Sequence, residues 1–212
     1  MSKTLQQILV DTAAYLDLDD NVPTGTELSV RTTFADRTVR EVANTGQLRE
    51  FKKTYITNSG TGATLSLPSD FNEFMVMPQM MDSNGDWQGY TVIEPEDQYD
   101  MDEADYWCYQ QGNPDDGYFV VFNKAIANTT LSMVYQRVAT GLATLTDVCE
   151  LPDADYVATR IEYYILDSRD DPRADNKKIE SEKKLANMIG RGSKKIGGGE
   201  NRIKKNFTNP LG

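Results

Sequence analysis

The chain has 212 residues, with 22 Lys and Arg against 33 Asp and Glu, a formal net charge of −11, two cysteines and no histidine. At 39% hydrophobic and 26% charged residues it is expected to be a soluble globular protein, long enough for one domain or two small ones. The missing histidine excludes imidazole general bases, Ser-His-Asp and Cys-His units, and histidine metal sites.

The charge is segregated. The last 23 residues, 190–212, hold six basic residues against Glu200 alone, a balance of +5, which leaves −16 on residues 1–189. Between Lys53 and Lys124 lie 70 residues with no Lys or Arg and 13 carboxylates. The expectation is an acidic body with a basic arm. Cys108 and Cys149 stand apart, outside any CxxC unit, and suit two thiols of an intracellular protein better than a disulfide framework. The opening MSKTLQQ lacks the apolar region of a signal peptide, and no run reaches the roughly 18 apolar residues of a membrane helix.

In chain order, Thr4 and Gln7 have capping-box spacing ahead of a stripe of Leu5, Ile8, Leu9, Ala13 and Leu16, which predicts a first helix. After Pro23-Thr24-Gly25, the same spacing of Thr24 and Glu27 and a stripe of Leu28, Ala35, Val39 and Val42 predict a second. Short β-branched, aromatic and Met-rich runs follow at 64–67, 74–77, 90–93, 106–110, 118–122 and 131–137. Turn residues divide them, notably Asn84-Gly85 and the stretch from Gly112 to Gly117. These predict one small antiparallel sheet.

Pro152, in a first turn with Asp153 and Asp155, predicts a third helix buried along Val157, Ile161, Tyr164 and Ile165. Asp171 as cap and Pro172 at the first position predict a fourth. Its stripe is Ile179, Leu185, Met188 and Ile189, and it ends at Gly190 and Gly192. The fold class is therefore α+β: a four-helix core of two helical hairpins, an inserted antiparallel β domain and an extended C-terminal arm. The expected boundaries are 1–51, 52–140, 141–189 and 190–212.

Motifs for chemistry fall short. Gly190-Arg191-Gly192 is followed by neither the P-loop lysine nor the third glycine of a dinucleotide fingerprint. The stretch Asp82-Ser83-Asn84-Gly85-Asp86 spaces oxygen ligands like a calcium loop. It places Trp87 where the loop needs Gly and Ile93 where it needs Glu. Glu94, Glu96, Asp97, Asp100, Asp102, Glu103 and Asp105 read as a solvated acidic loop, with a carboxylate- or metal-dependent enzyme built on the β domain as the alternative. Asn128-Thr129-Thr130 and Asn206-Phe207-Thr208 match the glycosylation pattern without a secretion signal. No catalytic residue, cofactor or metal is assigned. The basic arm reads as a solvated tail, a nucleic-acid contact, or a segment ordered on a partner protein, the last favoured by its spaced Ile203, Phe207 and Leu211.

The order of elements is more telling than any one motif. The capped hairpin, the β segment opening with Leu67-Pro68-Ser69-Asp70-Phe71, the stretch from Leu145-Thr146-Asp147 to Leu151-Pro152-Asp153, and the helices from Tyr164 to Ile189 together resemble the head–tail connector, or adaptor, proteins of tailed bacteriophages. The resemblance implies a virion structural protein assembled in the host cytoplasm. It implies self-assembly as a ring, usually twelvefold, beneath the portal protein, with tail or nozzle proteins as further partners. DNA would pass through the lumen without specific binding, and no membrane or cofactor would be involved. The resemblance also implies a portal anchor in the arm, made of Arg191, Lys194, Lys195, Arg202, Ile203, Lys204, Lys205, Phe207 and Leu211.

Overall fold

The computed structural model describes residues 2–17, 20–58, 63–81, 84–113, 116–124 and 130–196. The chain mixes α and β structure and divides into two compact units, Met1–Glu50 with Ala139–Gly212, and Phe51–Val138.

The first unit is helical. Helix α1 spans Leu5–Leu16, α2 Gly25–Asn44, α3 Ala154–Ser168 and α4 Ala174–Ile196. Packing radiates from α3, which touches each of the other three helices. The capping box of α1 forms as its spacing predicts: Gln7 N donates to Thr4 Oγ1 at 3.3 Å and Thr4 N donates to Gln7 Oε1 at 2.9 Å. Leu5, Ile8, Leu9 and Ala13 then face inward.

At α2 the expected box is absent. Thr24 occupies the cap with no side-chain bond, because Gly25 enters the helix at φ +58° and the first turn is loose, with Leu28 N 3.5 Å from Thr24 O. At α3 the cap is Asp153, whose carboxylate accepts from Asp155 N at 3.1 Å, so Pro152 lies before the helix and not in its first turn.

Helix α3 ends in a Schellman turn, with Asp171 N donating to Leu166 O at 3.0 Å and Asp170 N to Asp167 O at 3.1 Å around Asp170 at φ +52°. Asp171 does lead into α4. Its carboxylate accepts from Arg173 N at 2.9 Å, and side-chain and backbone bonds from Arg173 pull its pKa down to about 2. The regular helix starts two residues later than expected, at Ala174.

Helix α4 corrects the sequence reading twice. It does not stop at Gly190 or Gly192 but continues to Ile196. Each glycine costs about 1 kcal/mol relative to Ala. That is too little to end the helix here, and Arg191 near its end is a cation that the C-terminal end of the macrodipole favours. Its buried face is also different. Ile179 is 50% exposed, whereas Ser181 and Met188 are buried and Lys177 and Lys184 are largely so. At 100° per residue, Ile179 and Met188 lie on opposite sides of the helix, while 177, 181, 184 and 188 share one face.

Among the described residues the regular structure of the second unit is β apart from the 3-10 turn Pro95–Tyr99 and the end of another, Arg49–Phe51, and it forms two sheets where one was expected. Strands β1 (Lys52–Asn58), β8 (Thr130–Arg137), β3 (Phe71–Met81) and β4 (Trp87–Gly89) form the first, in that order. Strands β2 (Thr64–Ser66), β7 (Gly117–Phe122), β6 (Trp107–Asn113) and β5 (Thr91–Val92) form the second. All pairs are antiparallel except β5 with β6. One core draws on both sheets: Phe71, Met80, Leu131, Met133 and Tyr135 from the first, Cys108, Val120 and Phe122 from the second. In β8 the alternation Leu131, Met133, Tyr135 points inward at the strand period.

The hairpin joining β6 and β7 needs its glycines. Gly112 adopts φ +114°, and a Cβ there would meet the Gly117 carbonyl oxygen at 2.2 Å.

Candidate functional site

The motif residues behind the family resemblance are structural. Asp147 organises a turn by accepting from Ala143 N and Thr144 N, each at 2.7 Å, and from Thr144 Oγ1 at 2.6 Å. Those bonds hold its carboxyl below the usual range. The turn delivers Asp147 O to Leu5 N at 2.8 Å and Cys149 N to Lys3 O at 2.9 Å, which ties the chain ahead of α3 to the start of α1. Lys3 bridges both helices through Asp11 at 2.7 Å and Asp155 at 2.5 Å.

In the β unit, Leu67 and Phe71 are core residues, and Phe71 N closes a turn on Pro68 O at 2.9 Å. Asp70 between them accepts from Tyr135 Oη at 2.8 Å and pairs with Lys53. Burial pushes its carboxyl up, but the bonds from Lys53 and Tyr135 outweigh that and hold it below its ordinary value.

Of the expected anchor residues, Arg191, Lys194 and Lys195 belong to the last turns of α4, and Arg191 is exposed. Arg202, Ile203, Lys204, Lys205, Phe207 and Leu211 lie outside the described residues, as does Asn206. Helix α4 itself is fixed to α3 by polar contacts. Lys177 Nζ sits 2.7 Å from Glu162 Oε2, an ion pair off the angle of a good hydrogen bond, and 3.7 Å from the centre of the Tyr15 ring. Lys184 donates to Thr159 Oγ1 at 2.7 Å, and Arg160 Nη1 donates to Ser181 Oγ at 3.4 Å. Burial raises the Glu162 carboxyl above its ordinary range, with Lys177 opposing. Burial lowers Lys177, but its ion pairs with Glu162 and Glu180 prevail and its pKa is raised.

The acidic stretch is an exposed loop. All seven carboxylates from Glu94 to Asp105 are solvent-facing, and none makes an ion pair among the described residues. The loop is held by its backbone: Asn123 Nδ2 donates to Asp105 O at 2.6 Å, and Asn123 Oδ1 accepts from Trp107 N at 3.1 Å. Lys124 donates to Ala104 O at 2.5 Å and lies 3.9 Å from the centre of the Tyr106 ring. Asp82 of the calcium-like stretch is outside the described residues, while Gly85 at φ +88° turns β3 into β4. Cys108 and Cys149 are both free thiols, buried, with burial raising them to about 12 and about 11.

Sequence reasoning missed several exposed apolar side chains. Tyr99 in the acidic loop is 86% exposed, and Ile56 on β1 is 64% exposed. Val76 and Met77, neighbours on β3, are 48% and 52% exposed. The signal was available only for Ile179, whose helical phase contradicts Met188.

Among the described residues no group of three or more His, Cys, Asp or Glu side chains is placed to hold a metal ion. No described helix is long and apolar enough to cross a membrane. Motif residues tie segments together, apolar residues are exposed on the strands, and charge is segregated along the chain. A family model described as SU10 adaptor protein matches residues 3–199, and the chain belongs to that family of phage structural adaptors. A comparison with curated proteins found no match.

Proposed function

We propose that the chain is a ring-forming head-to-tail adaptor, twelvefold, which docks under the portal and extends the DNA channel towards the tail for genome ejection. Its other partners are the tail or nozzle proteins. The observation that carries this reading is the charge division, +5 on residues 190–212 against −16 on the rest, together with an acidic loop left unpaired among the described residues. A negative conduit repels phosphates, so DNA slides past without specific binding. The basic C-terminal segment, led out by the last turns of α4, supplies the portal anchor through Arg191, Lys194, Lys195, Arg202, Ile203, Lys204, Lys205, Phe207 and Leu211. Repetition around the ring makes many weak contacts sufficient.

Because α4 runs to Ile196, the informative truncation removes 197–212 and keeps the helix intact. The truncated chain is expected to fold with cooperative unfolding retained and to be absent from portal-bearing particles. Normal incorporation of the truncated chain would show that Arg202, Ile203, Lys204, Lys205, Phe207 and Leu211 do not supply the anchor.

A further inference from the structure

Three of the four strands that end the two sheets are too short to offer a pairing edge: β2 and β4 have three residues each and β5 has two. Strand β1 differs. Its seven residues pair with β8 in unbroken register from Lys52↔Gln136 to Asn58↔Thr130, and among the described residues no strand pairs its other side. At the opposite margin of the same sheet, β4 covers β3 only at 79–81, so no described strand pairs the outer side of residues 71–77. Open edges template strand addition, and proteins that do not use them shorten or cover them.

The two margins complement each other. Both β1 and β3 run antiparallel to β8 and therefore parallel to one another. Copies related by rotation about an axis along the strands keep that direction, so β1 of one copy lies parallel to β3 of the next. In this alignment the chain starts meet: Lys52 and Lys53 (the latter paired to its own Asp70) face the end of β3 that carries exposed Glu73. Further along, exposed Ile56 faces Val76 and Met77. The register irregularities of β3 between Phe74 and Gln79 turn both Val76 and Met77 to solvent, where a regular strand would hide one of them. A two-fold pairing of β1 with itself would stop at two copies and leave the margin of β3 open.

We infer that the sheet β1-β8-β3-β4 continues from copy to copy, with β1 of each copy adding in parallel to β3 of the next as the heterologous contact of the ring. The inference rests on the ring proposed above. It is tested in purified particles carrying the full-length chain with Thr54→Cys and Glu73→Cys, both exposed positions, treated with a short bis-maleimide. A ladder of covalent multimers is expected from the double variant and none from either single variant. Particles that image with a ring of this chain yet yield only monomer overturn the strand-addition interface and leave the ring standing. Covalent dimers from Thr54→Cys alone overturn it in favour of two-fold pairing. Particles in which the chain forms no ring overturn both readings. Should the variants fail to enter particles, amide exchange of the unmodified chain decides: the outward amides of β1 are expected to slow about tenfold or more on assembly, and unchanged rates overturn the proposal.

Discussion

The two units fill their interiors with different chemistry. Among the described residues, the helical unit buries aliphatic and small side chains, including Ala13, Ala35, Ala43, Ala154 and Ala158, with Tyr156 its one buried aromatic. Alanine at these positions lets helices approach closely enough to interlock. The β unit instead buries Phe51, Phe71, Tyr90, Phe122 and Tyr135, with ring centroids 4.9 Å apart for Tyr90 and Phe122 and 5.6 Å for Phe71 and Tyr135. Two sheets pack about 10 Å apart, and large rings fill much of that gap alongside Met80, Leu131 and Met133. Charge divides the units as well. Among the described residues the buried charged side chains, Arg31 and Glu162, both belong to the helical unit, whereas the β unit buries Gln136 and tyrosines but no charge. The helical unit thus stakes part of its stability on ionisation, and the β unit on shape.

The largest expected effect comes from breaking that shape. Phe122→Ala opens a cavity between the sheets and should cost about 3–5 kcal/mol. Both tryptophans, Trp87 and Trp107, belong to the β unit, so fluorescence reads it alone while far-UV helical ellipticity reads mainly the other. In urea the fluorescence midpoint should fall well below the ellipticity midpoint. An equal shift in both signals would mean that the units unfold as one, and the comparison would describe composition without describing stability.

Lys177→Ala is the corresponding test for the helical unit. It strands Glu162, whose side chain is only 7% exposed, and should cost about 3 kcal/mol near neutral pH. The pH dependence has a definite sign. Glu162 has a raised pKa, so stability is fullest below the ordinary carboxylate range and is lost as pH rises through the folded value. Lys177 is also raised, and what it contributes is present below the ordinary lysine value and lost only in strong alkali. Removing the lysine lets Glu162 rise further, so the deficit against the unsubstituted chain should shrink as acid protonates Glu162. A deficit constant between acid and neutral pH would assign the loss to the contact of the Lys177 ammonium with the Tyr15 ring.

What could be read from the sequence follows the range of the interactions. The capping box of Thr4 and Gln7 was legible because all its atoms lie within one turn. The strands around Tyr118–Phe122 and Leu131–Arg137 were legible because burial alternates along each. The division into two sheets was not, since pairing β2 with β7 and β1 with β8 joins residues far apart in sequence. The buried face of α4 was hidden because it is built from Lys177, Ser181 and Lys184, which hydropathy assigns to solvent. Strand β1 escaped for a related reason: Lys52 and Lys53 open it, and an edge strand needs no apolar alternation. As to the assembly surfaces, charge segregation is visible in composition alone, whereas Ile56, Val76 and Met77 are ordinary strand residues until the sheet order puts them at its margins.

The smallest effect sharpens the contrast, because it probes a polar contact the β unit does retain. Tyr135→Phe removes the hydrogen bond to Asp70 Oδ1 and keeps the ring, so it should cost about 1 kcal/mol. Asp70 has a lowered pKa, and its contribution is present above the ordinary aspartate value and lost as pH falls through the folded one. The variant's deficit should therefore fade in acid, as that of Lys177→Ala does. Alkali separates the two. Burial, then the bond to Asp70, raise Tyr135 from 10.0 to about 12, so its contribution is full below 10.0 and is lost as pH climbs towards about 12. The phenylalanine variant has no such group, and its stability should lack that alkaline decline. If both chains decline alike in alkali, the tyrosine is not what titrates, and the shape of the β core is maintained without its hydroxyl.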